Sequence, residues 1–274
     1  MLTDEQLNKI ETLQNECEQV DAIRLKLNWD MLRQRDDQSM DFFHEEHGEL
    51  VAYLALYGFG STVEVCGMVK PCERRKHHFS ALWLRAMQSI QEKGFQKILL
   101  NAPATSISAK KWLANQPCTY TFSEFQMGWE QQLLEESKDI FLRVSQPEDS
   151  NFEVQLDVLA FNMTEADGKL HNERVKKNPD ERHFIIEVDS KKIGKIRVNR
   201  KGGEAFIYGF AVLPEFQGHG YGGKALRNIV KKEHEAGCSI QLEVETKNEH
   251  ALRLYQQIGF KTLQGQDYYL WDEQ

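Results

Sequence analysis

The stretch Ile207-Tyr-Gly-Phe-Ala-Val-Leu-Pro-Glu-Phe-Gln217-Gly-His-Gly-Tyr-Gly-Gly223 decides the fold. Its first part is apolar and β-forming, and its second part carries four glycines within six residues. The residues from Gly220 onward predict a helix. Glycines let successive backbone N–H groups converge on one point, and a helix N-terminus adds partial positive charge there. The stretch therefore predicts a strand, an anion-binding loop and a helix, with a phosphate or pyrophosphate as the natural ligand.

The pattern of elements around this stretch occurs twice in the chain. When equivalent positions are taken 143 residues apart, Pro71 falls on Pro214, Gly94 on Gly237 and Trp112 on Tyr255. Several such matches, each inside elements of the same predicted type, indicate two copies of one fold. We place the copies at 1–134 and 140–274; two unrelated α+β domains with similar patterning are the alternative.

Other segments are predicted from periodicity alone. Residues 3–17 and 22–35 are read as helices, and 49–56 and 62–69 as strands. The charged segment Thr164–Asp180 and the segment Gly265–Tyr269 show no periodic pattern, so both are read as loops.

The first copy lacks the glycines of the second. The glycine loop of the second copy is Gln217–Gly222. In the sequence it aligns with Arg74-Arg-Lys-His-His-Phe79 of the first copy, which has long or bulky residues at the glycine positions. We expect that these residues cannot all adopt glycine conformations and that they fill the space of a pyrophosphate. The first copy should then lack a phosphate site, which leaves one donor site per chain. Its basic run is either an anion patch or a solvated entrance to a helix.

Composition narrows the classes of function. The formal net charge of −8 argues against nonspecific nucleic-acid binding and is compatible with cationic substrates such as amines. Five cysteines without Cys-x-x-Cys or Cys/His spacing indicate reduced thiols and no structural zinc. A signal peptide and a long apolar run are both missing, so we expect a cytoplasmic protein that does not enter a membrane.

Two motifs resemble the GCN5-related N-acetyltransferases, the GNAT family. Residues 212–222 look like its Gln/Arg-x-x-Gly-x-Gly/Ala signature, and residues 248–260 look like its Asn-x-x-Ala-x-x-x-Tyr-x-x-x-Gly-Phe motif. The resemblance implies an α+β (α/β) fold: two tandem acetyltransferase-like domains, each a mixed and mostly antiparallel sheet flanked by helices. It also implies a degenerate N-terminal copy and an intact C-terminal copy, with a monomer or a homodimer as the assembly.

The resemblance further implies acetyl-CoA as co-substrate, without a metal. Its pantetheine arm would lie between the splayed strands 206–212 and 240–244, and its pyrophosphate would lie on the glycine loop. For His219, phosphate contact and plain exposure remain open, and for Asn248, a contact to CoA and helix capping remain open. The implied donor-binding residues are Phe210, Ala211, Val212, Gln217, Gly218, His219, Gly220, Tyr221, Gly222, Gly223 and Asn248.

Catalytic roles come partly from the resemblance and partly from chemistry. Tyr255 resembles the family's general acid, which protonates the departing thiolate, although it shares a helical face with apolar residues and would also suit a core. A carboxylate must take a proton from an amine such as lysine, whose reference pKa is near 10.4. Glu243 and Glu245, on one face of a predicted strand, are the candidates, with Glu204 as a further one.

These expectations define two classes of function. The first is an N-acetyltransferase that moves an acetyl group from acetyl-CoA to a primary amine by direct attack in a ternary complex, on a small molecule or a peptide. The second is an acyl-CoA-binding regulatory module without turnover. Transfer of a longer acyl group is a variant of the first.

Overall fold

Two compact units divide the chain. The computed structural model describes residues 1–35, 37–161 and 163–272. Unit 1 comprises Met1–Glu124 and Gln264–Gln274, and unit 2 comprises Phe125–Leu263. The linear division at 1–134 and 140–274 stays a prediction about the repeat in the sequence, since the compact units are defined by contacts in space.

Unit 1 holds most of the elements of the first half of the chain. The helix α1 begins after Thr3, whose hydroxyl accepts the backbone N–H of Gln6 at 3.2 Å. The elements are α1 (Asp4–Asp21), α2 (Trp29–Gln34), β1 (Asp41–Glu46), β2 (Glu49–Phe59), β3 (Thr62–Val69), α3 (His78–Glu92), β4 (Lys97–Pro103), α4 (Ile107–Leu113), the first part of β5 (Cys118–Trp129) and the last part of β11 (Phe260–Trp271).

The sheet of unit 1 is covered on both faces. Its strands lie in the order β1-β2-β3-β4, with antiparallel pairs except for the parallel pair β3–β4. One core cluster joins Leu54 and Leu56 to Leu82 and Ile90 of α3, and another joins Tyr53 to α1. Because β2 is buried on both faces, it reads as a continuous apolar run rather than an alternating one.

Unit 2 repeats the arrangement. Its elements are the last part of β5, β6 (Phe141–Val144), α5 (Ser150–Phe161), α6 (Glu165–Lys176), β7 (Glu181–Val188), β8 (Lys191–Lys201), β9 (Glu204–Val212), α7 (Tyr221–Glu235), β10 (Ser239–Glu245), α8 (Glu249–Ile258) and the first part of β11 (Phe260–Trp271).

The strand order confirms the predicted fold class. The strands β10-β9-β8-β7-β6 are neighbours, and only β9–β10 is parallel among these pairs. Three antiparallel strands followed by a parallel partner are thus common to both units. Helices α7 and α8 cover one face of the unit 2 sheet, where Leu226, Ile229 and Ile258 are buried with Ile240 and Leu242. Both units are mixed, mostly antiparallel sheets flanked by helices.

The helix predicted at 22–35 is wrong over its first half. Helix α1 ends at Asp21, and Ala22 adopts a left-handed conformation with φ of 51°. The carboxylate of Glu18 then accepts the backbone N–H of Leu25 at 2.9 Å, which holds the chain in a turn. Only Trp29–Gln34 is helical, capped by Asn28.

Two segments read as loops are regular structure. Most of Thr164–Asp180 is the helix α6, which Thr164 caps by accepting the N–H of Asp167 at 3.1 Å. Its buried face is made of Gly168 and Asn172, so it has no apolar periodicity to detect. Gly265–Tyr269 lies inside β11, whose residues 266–270 pair with β4. That pairing partner is more than 160 residues away in sequence, beyond the reach of a local pattern.

The described part of the chain, residues 1–35, 37–161 and 163–272, contains no helix with both the length and the apolar character needed to cross a membrane.

Candidate active site

A gap opens between two parallel strands of unit 2. The ladder of β9 and β10 runs from Glu204–Ser239 to Ile207–Leu242 and ends there, while β9 itself continues to Val212. On its other side β9 stays paired to β8 up to Val212. A strand that leaves its neighbour presents N–H and C=O groups to any extended ligand with amides of its own. These are the two strands predicted to splay, although the predicted bounds 206–212 and 240–244 include residues 206–207 and 240–242, which still pair.

A β-bulge bends β9 at the gap. The register with β8 shifts between Lys195 and Arg197, opposite Gly209 and Phe210. Gly209 has a φ of 52°, and a Cβ on it would stand 2.7 Å from Nε of Arg197. Only glycine therefore fits this position without movement of the arginine. The bulge turns the backbone of Phe210–Val212 away from β10.

The glycine loop is open where a phosphate would bind. Gly218 and Gly220 have φ values of 78° and 79°, and a Cβ at either would meet nothing within 4 Å. Gly220 is the N-cap of α7 and offers no side chain to the first amides of the helix. The first amides of α7 are therefore not capped by a side chain, and an anion could bind to them.

The side chains of the loop hold its shape. The amide of Gln217 donates to the carbonyl of Val212 at 2.8 Å, which ties the loop to the end of β9. The imidazole Nδ1 of His219 lies 2.9 Å from the carbonyl oxygen of Gln217, and its ring stacks on Tyr221 with centroids 5.7 Å apart. Asn248 accepts the N–H of Ala251 at 3.1 Å, so its predicted capping role is confirmed.

Tyr255 lies on the face of the sheet that α7 and α8 cover. It is 9% exposed and belongs to the core cluster that contains Leu242, Val244 and Ile258. Its hydroxyl forms no hydrogen bond with any described residue, and burial raises its pKa to about 12. The phenol is therefore protonated at neutral pH, as a general acid must be before it acts.

The predicted carboxylates lie on the opposite face of the sheet. Leu242 and Val244 point into the core with Tyr255, so the alternating Glu243 and Glu245 point away from it. Their face also carries Tyr208 and Arg197, whose guanidinium carbon lies 6.0 Å from the tyrosine ring centre. Glu204 lies at the paired end of the strands, away from the gap.

A buried cluster of charges on this same face was missed from the sequence. Lys195, on β8, is 2% exposed and donates to Asp157 at 2.5 Å and to the carbonyl of Glu153 at 3.0 Å. Glu153 is 1% exposed and also contacts Lys176 at 2.5 Å. Glu153 and Asp157 lie four residues apart on α5, a spacing that places both on one face of a helix and that the sequence did show.

The cluster sets unusual protonation states. Burial would raise the pKa of Glu153, but contacts with His183, Lys176 and Asn172 outweigh it and lower that pKa to about 2. Burial, together with the charge of Arg197, lowers the pKa of His171 to about 4. At neutral pH this face therefore carries an ionised Glu153 and a neutral His171, and one oxygen of Asp157 is buried without a hydrogen-bond partner among the described residues.

Removing the lysine of this cluster is expected to destabilise unit 2. In Lys195→Met the carboxylate of Asp157 loses its buried cation, which should lower the free energy of unfolding by about 3–5 kcal/mol in urea titrations. The double variant Lys195→Met/Asp157→Leu should recover most of the loss. Lys191→Met, an exposed position on the same strand, should change it by less than about 0.5 kcal/mol. A loss below about 1 kcal/mol in the single variant would contradict the buried pairing.

Unit 1 keeps the backbone of the site without its glycines. The ladder of β3 and β4 ends at Val65–Leu100, so these strands also part. Arg75 and His77, which align with Gly218 and Gly220, have φ values of 70° and 66°. The expectation that these residues cannot all adopt glycine conformations is therefore wrong, because Arg75 and His77 occupy the two positions where the glycine loop has positive φ. A non-glycine residue held there costs about 1–3 kcal/mol, which the rest of the unit must offset.

A cavity of about 1170 Å³ lies at the gap of unit 1. Its lining includes Val69 and Asn101 from the parted strands and Trp112 from α4. Trp112 stands where unit 2 has Tyr255, and it carries no hydroxyl to act as an acid. We assign the donor site to unit 2 despite this cavity, because the open glycine loop and the tyrosine occur together there. One donor site per chain stays a prediction.

Comparison with known proteins gives a family match in the second half of the chain. Residues 150–260 match the Acetyltransferase (GNAT) family. That range contains the parted strands, the glycine loop and Tyr255, so the similarity to the family covers the candidate site. No curated protein matches the chain.

Solved structures extend the likeness to the whole chain. A GCN5-related N-acetyltransferase from Sphaerobacter thermophilus is 17% identical with a TM-score of 0.80, and the match covers 96% of this chain and 91% of that one. A tandem GNAT protein from the clavulanic acid biosynthesis pathway is 16% identical with a TM-score of 0.74, covering 97% and 94%. A glucosamine N-acetyltransferase region of a fungal multi-domain protein is 13% identical with a TM-score of 0.75, covering 98% and 37%. At such identities the likeness concerns the fold, which is that of two GNAT domains in tandem.

Proposed function

We propose that the protein transfers the acetyl group of acetyl-CoA to a primary amine, by direct attack of the amine on the thioester in a ternary complex. The observation that carries the proposal is the parting of β9 and β10 beyond Ile207 and Leu242, next to an open glycine loop. Two features that the donor needs, amide partners and an anion site, thus lie at consecutive positions of the chain.

The donor half of the site follows from the backbone. Pantetheine has two amides, and Phe210–Val212 offers them partners in the manner of an added strand. The pyrophosphate would bind to N–H groups of Gln217–Gly223 at the start of α7. A backbone N–H at the gap then polarises the thioester carbonyl and stabilises the oxyanion that forms on attack.

The two groups of the protein that transfer protons lie on opposite faces of the sheet. The acceptor must lose a proton to attack, and Glu243 or Glu245 supplies a carboxylate on the face of Arg197 and Tyr208. The amine nitrogen bonds to the carbonyl carbon and releases its second proton to solvent, and collapse of the tetrahedral intermediate breaks the C–S bond. Tyr255, on the sheet face that α7 and α8 cover, then gives its proton to the CoA thiolate. Because the two groups lie on different faces, acid and base do not neutralise each other.

The proposed acceptor is a primary amine, and a panel of candidate amines is needed to identify it. One structural neighbour is described as a glucosamine N-acetyltransferase region, so amino sugars belong in the panel. The net charge of −8 favours cationic acceptors, so polyamines belong there too. Amino acids and peptide N-termini complete it.

Release of CoA thiol measures the proposed activity. With at least one amine of the panel, release should be saturable in both substrates, and double-reciprocal plots should intersect, as a ternary complex requires. Parallel plots would indicate a covalent acetyl-enzyme and contradict direct attack. Tight binding of acetyl-CoA without release by any amine would contradict the enzyme and favour an acyl-CoA-binding module.

A further inference from the structure

Two histidines and a glutamate meet at the edge of unit 1. His44 and Glu46 lie on one face of the edge strand β1, and His78 is the first residue of α3. Nε2 of His44 lies 3.2 Å from Oε1 of Glu46, and Nε2 of His78 lies 3.8 Å from the same oxygen. The two imidazole rings have centroids 4.5 Å apart.

The cluster has one feature that ordinary ion pairing does not explain. The side chain of His78 is only 10% exposed, and its Nε2 is buried with no hydrogen-bond partner among the described residues. A buried polar nitrogen without a partner costs about 1–3 kcal/mol. It points into the same small space as the ligand atoms of His44 and Glu46, and the three atoms lie within 4.8 Å of one another.

The spacing of these atoms suits a tetrahedral metal ion. Zn²⁺ binds imidazole nitrogen and carboxylate oxygen at about 2.0–2.2 Å, which puts tetrahedral ligand atoms roughly 3.3–3.5 Å apart. The distances of 3.2 and 3.8 Å bracket that range.

A fourth ligand is within reach. Oε2 of Glu73 lies 3.9 Å from Nε2 of His78 and at present pairs with Lys76 at 2.5 Å. Two imidazoles and two carboxylates form a set that Zn²⁺ accepts. We propose that His44, Glu46, His78 and Glu73 bind one Zn²⁺ per chain.

The ion would fix the loop of unit 1 that corresponds to the glycine loop. Glu73 precedes that loop and His78 follows it, so one ion would hold both ends against the edge strand. Between them lie Arg75 and His77 in their left-handed conformations. Binding energy from the ion would offset the cost of holding them there.

The four proposed ligands are not grouped in the sequence, so their spacing does not reveal the site. The histidines are 34 residues apart and no cysteine takes part, so the absence of Cys/His spacing bears only on cysteine-based sites. The strand and the helix bring the ligands together only in the folded unit.

Zinc content and zinc affinity of the full-length protein test the proposal. After dialysis against a chelator, titration with Zn²⁺ in competition with a chromogenic chelator should show one saturable site. His44→Ala and Glu46→Gln, both at accessible positions, should weaken binding by more than the roughly 10–100-fold that a change beside the ligands costs. His47→Asn, next to the cluster in an exposed left-handed turn that asparagine tolerates, should bind as the wild type does.

Two further results decide the outcome. Added Zn²⁺ should raise the melting temperature of the wild type and of His47→Asn, but not that of His44→Ala. Co²⁺ in place of Zn²⁺ should give the intense visible bands of a tetrahedral complex. The proposal is overturned if the wild type binds no more Zn²⁺ than the His44→Ala/His78→Ala double variant, or if His47→Asn loses affinity to the same extent as His44→Ala.

Discussion

Replacing Gly220 by glutamate is expected to weaken acetyl-CoA binding by at least about 100-fold, a change of about 2.8 kcal/mol. Gly220 caps α7 in a left-handed conformation, and free space surrounds its Cα. A glutamate would fill that space and set a negative charge beside the pyrophosphate. The fold should survive, because His77 holds the same backbone conformation in unit 1. Titration calorimetry measures the affinity and the number of sites.

Gly237→Glu is the matched control for this variant. Gly237 follows the other end of α7 and has a φ of 80° against 79° for Gly220, and a Cβ at either position would meet nothing within 4 Å. Both variants therefore carry the same backbone cost, of about 1–3 kcal/mol. The control should bind acetyl-CoA with wild-type affinity and a stoichiometry of one. If Gly220→Glu still bound one acetyl-CoA per chain at full affinity, the donor site would not be the glycine loop of unit 2.

Tyr255→Phe is expected to lower kcat by about 10²–10⁴-fold, the usual contribution of a general acid. The affinity for acetyl-CoA should change little, since the aromatic ring stays in place. The hydroxyl has no hydrogen-bond partner among the described residues, so its removal should leave the melting temperature unchanged or slightly raised. Steady-state kinetics and thermal unfolding measure the two effects.

These two measurements separate catalysis from packing. A tyrosine that only fills the core would give a phenylalanine variant with full activity and full stability. A lower kcat with an intact fold requires that the hydroxyl act in the reaction. Trp112→Phe, at the equivalent position of unit 1, is the control, because it changes an aromatic residue without removing a hydroxyl and should leave kcat unaltered.

The glycine loop and the gap beside it could be predicted because their geometry is local. Backbone N–H groups at a loop and a helix N-terminus need glycines at fixed positions, and Gln217–Gly223 shows them directly in the sequence. The gap between β9 and β10 follows from the same stretch, since the bulge at Gly209 occurs just before it. A site formed by one continuous segment leaves its pattern in that segment.

The buried charge cluster on the other face of the sheet could not be predicted because its contacts are distant or polar. Lys195 and Asp157 meet across α5 and β8, and a buried ion pair looks in sequence like two surface charges. The buried face of α6 carries Gly168 and Asn172, so the helix shows no apolar stripe. At Arg75 and His77 the general rule for left-handed residues failed, because packing in unit 1 outweighs a local preference.

The order in which the two units are completed during synthesis follows from the way the chain is divided between them. Unit 2 has all its residues once Leu263 has been made, whereas unit 1 still lacks the segment that begins at Gln264. Until that segment leaves the ribosome, β4 lacks β11, the strand that pairs with Leu99–Pro103. Domains usually fold from the N-terminus during translation. Here the N-terminal unit is the last to be completed, so its open sheet edge is exposed for most of the time that the ribosome works on the chain.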